Sequence, residues 1–185
     1  MCIEQAIGID WSAVGAIATA FAAGTALLIW LVDGSRRKAE RKAAARLLAQ
    51  SMIAPVAAAQ IDIAAVRRAV APPDGSTWLI HAALASKAGR DELAGLAAGV
   101  NLELPPQFLD KADLFSEEVS NKLAYALTVI SRLKVSAKLL SSLGDTSEQQ
   151  DIDQHTHLLL TLIKETADAV DDAYNVLLVA GRASR

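Results

Sequence analysis

WSAVGAIATAFAAGTALLIWLV, residues 11–32, contains no charged side chain and is bounded by Asp10 and Asp33. A helix needs roughly 20 consecutive apolar residues to cross the hydrocarbon core of a bilayer, so this stretch of 22 is long enough. Trp11 and Trp30 are separated by about 28 Å along a helix axis at ~1.5 Å per residue. That spacing puts one indole at each membrane interface, where amphipathic rings settle.

A cleaved signal peptide would have a basic start, a shorter apolar run and a usable small-x-small site. Here Glu4 and Asp10 precede the run without any Lys or Arg, and Ala20-Phe21-Ala22, the candidate site, lies inside it. A retained anchor is the expectation, with a buried core helix as its rival. Arg36, Arg37, Lys38, Arg41, Lys42 and Arg46 follow the span. The positive-inside rule then places the N-terminus outside and the C-terminal part in the cytoplasm of a bacterial inner membrane. The same basic cluster would attract anionic lipid, and it also fits the solvated face of a helix.

From residue 8 to 24 a small residue recurs at every fourth position, Gly8, Ser12, Ala16, Ala20 and Gly24, and Gly15, Thr19 and Ala23 form a second row. Small residues let membrane helices approach closely, and that contact supplies attraction where the hydrophobic effect between helices is weak. Two such rows suit a homo-oligomeric ring, in which each helix has two neighbours. Val14, Ile17, Phe21 and Leu28 are left to meet lipid. Ser12, Thr19 and Thr25 are the polar side chains available to a pore. An alanine-rich helix also aligns small residues by chance.

Composition sets the remainder of the fold. Of 185 residues 52% are apolar but only 4% aromatic, a balance that favours helices. The fold class expected is all-α, one N-terminal transmembrane helix followed by a cytoplasmic bundle of four to five helices that includes a long C-terminal antiparallel hairpin. The organisation read from composition is 1–35 for the N-terminal segment and span, 36–71 for a basic juxtamembrane helical region and 72–185 for the bundle. Leu47, Leu48, Ile53, Val56, Ile63, Val66 and Val70 recur at helical spacing, with Pro55 expected to end or kink the helix before it. The run 71–76, APPDGS, is a break. Short helices are expected over 77–88 and 91–100. A long helix follows over 106–143, irregular near 114–116 and closed by Gly144, and then another over 147–180, closed by Gly181.

Charge divides unevenly along the chain. Residues 1–35 hold three acids and no base, 36–90 hold ten bases against three acids (+7), and 91–185 hold eight bases against fifteen acids (−7). A basic collar beside a membrane follows from topology, and the acidic bundle offers no broad nucleic-acid surface. A cationic protein partner fits that bundle as well as simple solubility does. Asp151, Asp153, His155 and His157 concentrate metal-ligand types, but the two i,i+4 pairs point in different directions, so no metal site is expected. A polar, acidic first turn suits the helix dipole instead. His81 is read as a packed or interfacial histidine. The single Cys2 implies no disulfide framework, and no phosphate loop, zinc pattern or nucleophile setting is present. Neither an enzyme nor a cofactor is expected.

Asp10-Trp11-Ser12-Ala13-Val14-Gly15-Ala16-Ile17-Ala18-Thr19-Ala20, the basic run from Arg36 and the helical remainder resemble the short single-pass membrane effectors of bacterial antiphage loci. The layout is similar to that of the membrane-pore accessory proteins of RNA-targeting (type VI) CRISPR systems. That resemblance implies a ring-forming effector that impairs the envelope of an infected cell, with a cytoplasmic part related to helical ribonuclease bundles. No arginine stands five to seven residues before His81, His155 or His157, so the Arg-x4–6-His signature of active members is missing and RNA cleavage is not implied.

Two functions follow. In the first, a cytoplasmic protein or small-molecule signal acts on the bundle and the spans assemble to open or disrupt the membrane. In the second, the span is an inert anchor for a scaffold. Both share the N-out topology, which Cys2 reports. A membrane-impermeant maleimide applied to intact cells should label Cys2 without lysis, and labelling only after lysis would reverse the orientation.

Overall fold

The computed structural model describes residues 11–182, and every regular element among them is helical. Helix α1 covers Trp11–Val70, α2 Trp78–Ala85, α3 Lys87–Ala98, α4 Pro106–Asp110, α5 Glu117–Ser142 and α6 Gln149–Gly181, with a single 3-10 turn at Ala112–Leu114 before α5. Contacts divide the chain into two compact units, Met1–Ala43 and Ala44–Arg185. The division falls inside α1 rather than at the 35/36 and 71/72 boundaries read from composition. The second half of α1 is a member of the bundle because its apolar stripe is buried there.

That stripe is regular. Ala49, Met52, Val56, Ala59, Ile63, Val66 and Val70 alternate steps of three and four residues and are all buried. The same alternation runs through Val119, Leu123, Ala126, Ile130, Leu133, Ala137 and Leu140 on α5, and through Ile152, Thr156, Leu159, Ile163, Thr166, Val170, Ala173 and Leu177 on α6. A mean step of 3.5 residues keeps one seam turned to its neighbours only if the helices coil gently round each other, so these three segments pack as in a left-handed bundle.

Cross-links fix the directions. Lys122 Nζ donates to Asp172 at 2.6 Å, and Arg132 reaches Glu165 at 3.3 Å. Residue numbers rise on α5 as they fall on α6, so the two form the expected antiparallel hairpin. Asp172 holds the Lys122 ammonium protonated above its usual range, and a hydrogen bond to Glu165 does the same for the Tyr125 phenol. Gln60 Nε2 donates to Asp171 Oδ1 at 2.7 Å and Gln50 Nε2 to the Gly181 carbonyl at 3.3 Å. Residues 44–70 of α1 therefore also run antiparallel to α6.

Several boundaries differ from the sequence reading. Pro55 does not end α1, which continues through it. Met52 and Val56, on either side, are fully buried, and their packing outweighs the roughly 3 kcal/mol that an interior proline costs. The carbonyl of Ser51, left without its helical donor, belongs to an exposed residue that water can reach. Leu47 is exposed and Leu48 buried, because the seam passes through 48 and 49. The helix expected over 106–143 is divided. Ser116 accepts from Val119 N at 3.4 Å and starts α5 afresh, while Phe108 on α4 stacks obliquely on Phe115, centroids 5.6 Å apart. Gly144 follows the last turn of α5 without a left-handed conformation; only Gly75, in the 71–76 corner, has one (φ 74°) among the described residues. His81 is exposed rather than packed.

Helices α2 and α3 meet almost end to end. Ser86 ends α2 and, through its hydroxyl, accepts from Gly89 N at 3.2 Å to start α3. Gly89 lies so close to α2 that a Cβ there would overlap the Ala82 carbonyl and stand 2.7 Å from Ala83 N. A glycine in an exposed helix interior is normally improved by alanine. At Gly89 the sign should reverse: Gly89→Ala should lower stability by about 1–3 kcal/mol, the usual range for overpacking. Thermal or urea unfolding of the full-length protein followed by circular dichroism measures this, and an unchanged or raised midpoint would contradict the close approach.

Candidate functional site

The first part of α1 carries the membrane-span candidate. One helix is long and apolar enough to cross a bilayer; its 18-residue window of mean hydropathy 1.4 within Thr19–Val70 is one third buried and so reaches into the bundle half of α1, because residues 19–43 are exposed throughout. Gly8 lies outside the described residues. Trp11, Ser12 and Ala16 are on the first two turns of α1, and Gly15, Thr19, Ala20 and Gly24 follow on the same helix, all four exposed. Phe21, Leu27, Leu28, Ile29, Leu31 and Val32 are exposed as well, and Trp30 is 71% exposed. Burying one such side chain is worth roughly 1.5–3 kcal/mol. Seven of them uncovered amount to about 10–20 kcal/mol of unburied apolar surface, comparable with a whole domain's stability.

Side-chain size changes abruptly along the helix. From 19 to 26 every residue except Phe21 is Ala, Gly or Thr, whereas 27–32 are all large. Ala20, Gly24 and Thr25 leave a groove on the helix surface between Phe21 and Leu28. A Cβ added at Gly15 or Gly24 would meet nothing within 4 Å, so the chain itself does not require glycine there. A row of every fourth residue also drifts by about 40° per step round a helix of 3.6 residues per turn. Helices touching along such a row cross one another over a few turns, the geometry of small-xxx-small pairs.

The two threonine hydroxyls of the span are already used. Thr19 Oγ1 donates to the Gly15 carbonyl at 2.8 Å, and Thr25 Oγ1 lies 3.0 Å from the Phe21 carbonyl and 2.9 Å from that of Ala22. Bonding back to the preceding turn is how a threonine satisfies its donor in lipid. At the end of the span Arg37 pairs with Asp33 at 3.3 Å, both exposed. Arg36, Lys38, Arg41 and Lys42 are exposed and Arg46 is half-buried.

The other sequence-selected cluster does not converge. His155 Nδ1 is 2.8 Å from the Asp151 carbonyl oxygen and Gln149 donates to Asp153 at 2.9 Å, so these side chains engage their own helix. Among the described residues no three His, Cys, Asp or Glu side chains gather as a metal ion would require.

Sequence reasoning missed Arg90, a buried cation that joins three parts of the bundle. Its only signals were a glycine inside a helical pattern and an Asp beside Gly144, both weak. No protein family, curated protein or solved structure matches the chain.

Because the Thr25 hydroxyl closes on its own backbone, Thr25→Val should leave the detergent-solubilised mass unchanged. A smaller species would mean that Thr25 bonds across helices.

Proposed function

We propose that this chain is a self-associating single-pass protein of the bacterial inner membrane, N-terminus outside and helical bundle inside, that perturbs or perforates the membrane in antiviral defence. The observation that carries the reading is the unbroken helix α1, which bears both an uncharged 22-residue stretch rich in small residues and, further along, seven buried seam positions of the bundle. Any association of bundles would bring spans together, and a groove such as that at Ala20 and Gly24 lets backbones come close. The basic cluster from Arg36 supports the orientation and contact with anionic lipid. The defence role rests on the resemblance in layout to the membrane effectors of antiphage loci.

A second reading, a scaffold on an inert anchor, draws support from the closed threonine hydroxyls and the wholly large 27–32 segment. Neither feature assists a water-filled pore.

Isoleucine at Gly15, Ala16 and Ala20 separates the two. For a membrane-perturbing oligomer, the triple variant should lose the large species in detergent and the fall in membrane potential that overproduction of the parent causes. If oligomer and depolarisation both persist, the small-residue contact is wrong. A parent that neither assembles nor depolarises the membrane leaves the anchored scaffold as the function.

A further inference from the structure

A cleft of about 390 Å³ opens in the bundle where the C-terminal end of α1, the 71–77 corner, the start of α2 and the middle of α6 come together. Its floor is aliphatic: Val70, Pro72, Ile80, Leu160 and Ile163. Arg67 and Lys164 also line it, from different helices, and both are exposed. Neither belongs to an ion pair among the described residues, Arg67 coming from the basic 36–90 stretch and Lys164 from the acidic 91–185 stretch. Thr77, at the same cleft, is the N-cap of α2 but its hydroxyl makes no capping bond. Asp74, the carboxylate of the corner, accepts from Ser76 N at 2.9 Å and does not line the cleft. That bond keeps its carboxyl below the usual carboxylate range.

Two unpaired cations at an apolar depression define a ligand by its chemistry. The charge calls for an anion, and the floor calls for a hydrocarbon body. No aromatic ring lines the cleft, so nothing there stacks on a planar base, and the volume is within the range of small-molecule sites. We propose that this cleft binds an aliphatic anionic amphiphile, its carboxylate or phosphate between Arg67 and Lys164 and its chain on Leu160, Ile163 and Ile80. Burial of the chain supplies affinity, and the cations select against neutral alkyl compounds. The site is separate from the span and does not depend on how the span acts.

The test is calorimetric titration of the full-length protein in a nonionic detergent with octanoate and octyl phosphate, each below its micelle concentration, with protein-free micelles as the blank. Octanol and inorganic phosphate are the controls. Saturable binding of either amphiphile, at least tenfold weaker for octanol and for inorganic phosphate, is expected. Preference for octanoate identifies a fatty-acid-like ligand, and preference for octyl phosphate a phospholipid-like one. Both cations are exposed, so Arg67→Gln with Lys164→Gln should retain the helical spectrum and unfolding midpoint while weakening binding at least tenfold. No saturable binding, equal binding of octanol, or binding indifferent to the double substitution would overturn the proposal.

Discussion

The buried guanidinium of Arg90 holds the bundle's connections in place. It is 1% exposed, and its Nε and Nη1 donate to the Leu143 carbonyl at 3.2 Å and the Ala83 carbonyl at 3.3 Å, while Nη2 reaches Asp145 at 2.9 Å. The first two acceptors are at the ends of α5 and α2, where helices leave carbonyls without partners and where a cation is favoured by the helix dipole. Asp145 also accepts from Lys87 N at 2.6 Å, so an anion from the α5–α6 connection caps the start of α3. One planar donor thus fastens three helix ends, which lysine, a point charge, cannot do. Asp145 is 68% exposed, so its Coulombic share is screened; the carbonyl contacts of the buried head matter more. Gly89 is the condition for this, since only a residue without Cβ lets α3 come near enough to α2.

Around that fastening the three long segments supply the mass of the core, and their regular three-four stripes give a mainly aliphatic interior. The stripes also contain Thr156 and Thr166, and α5 buries Ser136; none of the three hydroxyls has a hydrogen-bond partner. A buried, unpaired hydroxyl costs about 1–3 kcal/mol. Aliphatic packing along the same seams offsets it.

Functionally the chain combines two kinds of surface. Large apolar side chains are left uncovered from Phe21 to Val32, and the bundle offers an aliphatic cleft lined by Arg67 and Lys164. The first was visible in the sequence because a helix of 22 uncharged, mostly apolar residues has no polar face to turn toward water. The second was not, since Arg67 and Lys164 are 97 residues apart and only the packing of α1 against α6 brings them to one cleft.

The sequence by itself determined the all-helical class, the long apolar N-terminal helix, the break at 71–76 and the C-terminal hairpin, because each follows from local periodicity, charge or turn chemistry. Along α6 the helically spaced Ile152, Leu159, Leu162, Ile163, Val170, Ala173 and Leu177 are all buried. Tertiary structure alone decided that α1 passes through Pro55, since local propensity opposes this and only burial of Met52 and Val56 favours it. It likewise decided that α5 starts afresh at Ser116, and that Gly89, Arg90 and Asp145 form one junction. A backbone approach between α2 and α3, and a cation shared by distant helix ends, have no periodic signature; they exist only once the seams have set the helices side by side.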